Sequence, residues 1–120
     1  MPHLHLETTA DLNENGDVPD ILEALVEALQ GIESISGKGL RACHSLRSVW
    51  VMGEGAEPGF AHCTLSILTG RSPELRRMLA EAMMQVLRRS FVYSLEQNEI
   101  VITVEVREME RDTYLTHRSG

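Results

Sequence analysis

Leu4 and Leu6 alternate with His3, His5 and Glu7, the period-two pattern of a strand buried on one face, and the predicted strand covers Pro2 to Thr8. Asp11 to Asp17 is rich in Asn, Gly and Asp and reads as a turn. The period then changes. Ile21, Leu22, Leu25, Ala28, Leu29 and Ile32 form one stripe at helical spacing behind an Asp17 cap with Pro19 in the first turn, so a helix is expected to about Gln30. Gly37 and Gly39 open a second strand region, about Leu40 to Met52. Its parity slips, because Leu40, Ala42, His44 and Leu46 share one face while Val49 and Val51 take the other; a bulge near Arg47-Ser48 is predicted. Gly53 to Gly59, with Pro58 inside it, is a loop.

The same order then repeats. Phe60 to Leu68 is a strand with Ala61, Cys63, Leu65 and Ile67 on one face. Ser72-Pro73-Glu74 combines a Ser cap, Pro at the first helical position and an acid in the first turn. Leu75, Met78, Leu79, Ala82, Met83, Val86, Leu87 and Phe91 keep helical spacing behind it. Ile100 to Arg107 closes the pattern, with Ile100, Ile102, Val104 and Val106 on one face. The expected fold class is therefore α+β, built from two β-α-β repeats, about 2–56 and 57–109. Strands pair in parallel within each repeat. Joined at their first strands, the repeats make one four-stranded mixed sheet with both helices on one face. Residues 1–110 form a single domain and 111–120 a polar tail. The other sheet face carries His3, His5, Phe60, His62, Thr64, Thr103, Glu105 and Arg107, too polar for a dry core and suited to water or another subunit. That face and the small size predict an oligomer.

Composition narrows the function classes. The 120 residues suit one domain, and 42% hydrophobic with 24% charged residues argues against disorder. Eleven Lys+Arg against 18 Asp+Glu give a net charge of −7, which speaks against a nucleic-acid binder. Cys43 and Cys63 fit neither a disulfide scaffold nor a CxxC site and read as small buried or half-buried hydrophobes. No run approaches the roughly 18 apolar residues of a membrane span, and Met-Pro-His-Leu-His lacks a signal-peptide layout. A cytoplasmic protein with reduced thiols and no membrane partner is expected.

Three residues carry candidate chemistry. Met1 before Pro2 is usually removed, which leaves a secondary amine; an α-amino group starts near a pKa of about 8, and desolvation and nearby cations lower it toward a value suited to proton abstraction. Met-Pro standing alone is first of all a chain start. Arg71 precedes the Ser72 cap, so a guanidinium and a helix N-terminus together make a carboxylate or phosphate site, with an ordinary surface arginine as the even alternative. Arg41 lies on the opposite parity from Leu40 and Ala42, where a solvated strand residue is the plain reading. His3 and His5 share a face with His62, but no carboxylate or thiol stands at a spacing that completes a ligand set, so no metal is expected. The Met78 to Met84 run reads as core filling, and Gly53 to Gly59 lacks phosphate-loop spacing.

Met-Pro-His at the start, Gly39-Leu40-Arg41, Trp50 with Met52, Phe60-Ala61-His62-Cys63-Thr64-Leu65, Gly70-Arg71-Ser72 with Glu74, and Val104-Glu105-Val106 recur in the order of a known group. The chain resembles the tautomerase superfamily and, within it, the 5-carboxymethyl-2-hydroxymuconate isomerases, over residues 2 to about 109. The resemblance implies a homotrimer of ferredoxin-like β-α-β repeats, with sites near subunit boundaries and no cofactor. It implies the amino-terminal proline, Pro2, as general base for a 1,3-proton shift on an unsaturated 2-hydroxy (dienol) carboxylic acid, a small molecule of aromatic-compound breakdown. Arg41 and Arg71 would hold carboxylates and stabilise the developing enolate, Arg41 also in the chemical step. Where these isomerases often carry a second arginine two places after the first, this chain has Cys43. The alternative from another class is a non-catalytic ligand-binding or regulatory module on the same kind of sheet.

Overall fold

A computed structural model describes residues 2–32, 35 and 39–120; Met1, whose removal the sequence suggests, and Gly37, at the predicted opening of the second strand region, lie outside the described residues. Strand β1 (His3–Thr9) leads through a 3-10 turn (Asn13–Asp17) into helix α1 (Val18–Gln30), and strand β2 (Arg41–Arg47) ends the first repeat. Strand β3 (Gly59–Leu68), helix α2 (Pro73–Ser90), a short helix α3 (Val92–Glu96) and strand β4 (Ile100–Met109) make the second. The sheet order is β2-β1-β3-β4, parallel within each repeat and antiparallel where β1 meets β3.

The alternation that predicts the strands is the alternation that buries them. Leu4 and Leu6 of β1 and Ala61, Cys63, Leu65 and Ile67 of β3 face the helices and are almost wholly buried. Leu25 and Leu29 of α1 and Leu79, Met83 and Leu87 of α2 meet them from above. Each buried Leu contributes about 1.5–3 kcal/mol relative to an exposed one, so this single layer is what holds the sheet to its helices. Among the described residues no helix lies on the sheet's other face.

Several expectations give way locally. β2 stops at Arg47, where its pairing with Thr9 of β1 ends, so the parity slip falls in irregular chain and there is no bulge. Val49 and Val51 there are more than 90% exposed, while the Trp50 indole N–H donates to the Pro58 carbonyl at 2.9 Å and closes the loop. Asp17 precedes α1 without a side-chain cap bond, because the 3-10 turn already feeds the helix; Ser72, by contrast, accepts the Leu75 N–H at 3.1 Å. Met78 is exposed on α2 although Met83 is in the core. Cys43 is exposed on the open sheet face and not buried, since its parity is that of Arg41. Phe91, fully buried, breaks the second helix into α2 and α3. The last residues do not simply trail away: a 3-10 turn at Arg111–Thr113 sends them back toward the sheet.

Candidate active site

The pairing pattern brings four strand termini to one end of the sheet. The starts of β1 and β2 lie beside the ends of β3 and β4, as the pairs His3↔Arg41, His3↔Ser66 and Leu68↔Met109 show. Pro2 is buried at this end, and its carbonyl accepts the Arg41 N–H at 3.3 Å. Two of the three predicted site residues are therefore adjacent through a parallel ladder, with the Arg41 side chain on the helix-free face beside His3.

Arg71 reaches the same end by another route. Gly70 adopts φ of +120°, which side-chain-bearing residues rarely adopt, and so turns the chain out of β3. Arg71 Nη1 then donates to the Leu68 carbonyl at 3.2 Å, just ahead of the capped N-terminus of α2. It sits on the β3 side of the end, outside the cleft that holds Arg41.

That cleft, of about 260 Å³, is lined by His3, Arg41, Tyr114, Leu115, Thr116 and His117. Its wall is the segment that follows the second 3-10 turn. Arg111 Nε donates to the Thr69 carbonyl at 2.8 Å, and the Tyr114 hydroxyl lies 2.7 Å from His3 Nε2. The two rings meet edge to face, their centroids 5.8 Å apart. Burial, then the Arg41 charge and the amino terminus, hold His3 below the ordinary histidine range, so its neutral ring is favoured and can accept from the phenol. The sequence treats 111–120 as a polar tail and misses Tyr114; the only local signal was an aromatic next to Leu115 in otherwise polar chain. A wider groove of about 640 Å³ between α1 and Ala42 holds none of the candidate residues.

The three histidines that share the open face are tied to hydroxyls. His5 Nε2 lies 2.8 Å from Ser45 Oγ, and His62 Nδ1 lies 2.6 Å from Thr103 Oγ1. Among the described residues no group of three His, Cys, Asp or Glu side chains is placed to hold a metal ion. None of their helices is long and apolar enough to cross a membrane.

A buried proline joined to an arginine at a strand end, in a double β-α-β sheet, is an arrangement that can be compared with known proteins. The family model for 5-carboxymethyl-2-hydroxymuconate isomerase matches residues 2–119. A 5-carboxymethyl-2-hydroxymuconate Delta-isomerase of Escherichia coli is 24% identical over 110 residues, 91% of this chain and 87% of that protein. The crystal structure of a 5-carboxymethyl-2-hydroxymuconate isomerase from Deinococcus radiodurans superposes with a TM-score of 0.89 at 28% identity, covering 98% of this chain and 90% of the other. A fused 4-OT solved as a symmetric trimer shares the fold, with a TM-score of 0.72 at 20% identity over 98% of this chain and 93% of that one. Fold, matched span and relatives agree: the chain belongs to the 5-carboxymethyl-2-hydroxymuconate isomerase family of tautomerase-fold isomerases.

Proposed function

We propose that this isomerase moves a proton within an unsaturated 2-hydroxy (dienol) carboxylic acid of the 5-carboxymethyl-2-hydroxymuconate kind, with the amino-terminal nitrogen of Pro2 as general base. The observation that carries the reading is the Pro2–Arg41 pairing, a buried proline with a guanidinium-bearing residue hydrogen-bonded to it. Once Met1 is removed, the proline nitrogen is a secondary amine with a usable lone pair. Burial and the neighbouring cation both disfavour its charged form and lower its pKa from about 8. The amine accepts the proton of the 2-hydroxyl, a dienolate forms, and the same proton is returned to the carbon two bonds from that oxygen, so no co-reactant is consumed. Arg41 holds a substrate carboxylate and stabilises the neighbouring oxygen as its negative charge develops, which is the electrostatic route to a lower barrier. Arg71, with the α2 N-terminus beside it, binds a permanent carboxylate. Residues 1–110 act in this reading as one catalytic domain of a cytoplasmic homotrimer, whose further copies cover the polar sheet face.

Activity of preparations with and without Met1 tests the base. Met-free protein, verified by mass spectrometry, should turn over the dienol with no added metal or nucleotide, and kcat/KM should rise through a pKa below about 8. Protein that retains Met1 should be folded and inactive, because an amide nitrogen cannot take the proton. Full activity in a homogeneous Met1-retaining preparation would remove Pro2 from the mechanism. Arg71→Ala should raise KM more than it lowers kcat, and Arg41→Ala should lower kcat clearly; wild-type kinetics in both would remove the arginines.

A further inference from the structure

We infer that residues Tyr114 to His117 form a strap that completes a carboxylate subsite over Arg41, with Tyr114 as the positioning residue that holds the strap in place through His3. The inference rests on the isomerase reading for its ligand class, an acid with more than one carboxylate, and on geometry for everything else.

Chemistry of the cleft lining is the first support. The chain carries 18 acidic residues against 11 basic ones, yet none of the six described residues around this cleft is acidic. They offer instead a guanidinium, two imidazoles and two hydroxyls. In a protein of net charge −7, this lining is donor-rich around one cation. A carboxylate matches that set, because its two oxygens accept several hydrogen bonds and pair with a guanidinium in fork geometry.

Attachment of the strap is the second. The chain that leads into it is tied at two points. Arg111 bonds the Thr69 carbonyl beyond β3, two residues before Arg71, and Tyr114 bonds His3, the Cα partner of Arg41 in the ladder. The path between these anchors crosses the sheet end where Pro2 and Arg41 lie. Thr116 and His117 continue beyond the Tyr114 anchor and line the cleft together with Arg41. Leu115 is 89% exposed and packs under nothing, so the strap is not held by apolar burial of its own. Its placement therefore depends on polar ties of which the phenol–imidazole bond is the one nearest the site.

Adipate, a saturated six-carbon dicarboxylate that cannot be isomerised, separates binding from turnover. Titrated into the full Met-free chain, it should shift the backbone NMR signals of residues 115–117 with the same saturation curve as those around Arg41. Tyr114→Phe keeps the ring and removes the hydroxyl; it should weaken adipate binding roughly three- to tenfold, the scale of one lost hydrogen bond, with little change in Tm. A chain ending at Thr113 should weaken it at least as much. Adipate binding that leaves the 115–117 signals still, no adipate binding, or unchanged affinity in Tyr114→Phe would each overturn the strap. The isomerase reading fails on a different result, absence of dienol turnover by the Met-free protein. Strap shifts without turnover would keep the subsite and discard the isomerase, and turnover with a silent strap would do the reverse.

Discussion

Replacing Glu14 by alanine should remove a large part of this protein's stability from a position far from any active-site residue. Glu14 lies in the 3-10 turn before α1 and is 4% exposed. Its carboxylate accepts the Ser94 N–H at 3.1 Å and the Ser94 hydroxyl at 2.5 Å. Ser94 is wholly buried and is the third residue of α3, where a backbone N–H has no carbonyl of an earlier helical turn to bond. The carboxylate is thus a cap supplied from the other repeat. Truncation leaves two buried donors without an acceptor, each costing about 1–3 kcal/mol, and a value near 3 kcal/mol for the pair is the expectation. An unfolding entropy of about 2.1 cal/mol/K per residue gives roughly 250 cal/mol/K for 120 residues, so Tm should fall by about 12 °C. Glu14→Gln keeps the chain length and one acceptor oxygen and should lose about 1 kcal/mol, near 4 °C. Thermal and urea unfolding at pH 7, followed by circular dichroism at one fixed protein concentration, measures both. An alanine variant within 1 kcal/mol of wild type would refute the reasoning, and so would a glutamine variant as damaged as the alanine one.

Thiol titration should find Cys63 protected in the folded chain and both cysteines reactive in denaturant, because burial pushes the Cys63 thiol up to about 12 beside Met83. Two fast equivalents before unfolding would contradict the placement of Cys63. Stability should fall with acid below the unfolded histidine value of about 6.5, because burial chiefly, with Arg41 for His3 and His5 for His44, holds both imidazoles below their ordinary range. The unfolded chain then binds the extra protons, so stability is level above that pH and declines as pH drops toward the folded values. Urea midpoints between pH 7.5 and 5.5 should show the decline, and His44→Gln should flatten it; an unchanged slope in that variant would take His44 out of the account.

Legibility in the sequence follows how local each cause is. β1 and β3 are readable because one face is packed and the other open, so burial imposes period two on their own residues. β2 is an edge strand whose length is decided by where β1 ends, and nothing inside Leu40 to Met52 carries that information. The Ser72 cap is an interaction over three residues and was visible; the Asp17 cap failed because the turn before it takes a form that composition does not separate from a loop. Arg41 was visible only as a parity, and its adjacency to Pro2 needed the parallel register. Tyr114 with His3 and Glu14 with Ser94 span 111 and 80 positions, beyond the reach of any spacing rule.

The repeat also explains why the candidate chemistry sits at one end of the sheet when the architecture offers two. β1 with β2 and β3 with β4 are equivalent parallel pairs running in opposite directions, so each end of the sheet carries a proline, the start of a first strand and the start of a second. At the near end these are Pro2, His3 and Arg41; at the far end they are Pro58, Gly59 and Ile100. The far set has no cation and no titratable ring. Ile100 is buried in the core where Arg41 is exposed, and the space a side chain on Gly59 would need is taken by Thr9 and Asp11, whose oxygens lie 2.5 Å and 2.7 Å from its ideal Cβ position. Pro58 is internal, its nitrogen in an amide, and its carbonyl accepts the Trp50 indole where that of Pro2 accepts the Arg41 backbone. Duplication of the unit thus duplicates the scaffold and not the site. Converting the far end would require a cation in place of a core isoleucine and a side chain in place of a glycine that packing forbids, which is why the proposed base and its arginine belong to the first repeat alone.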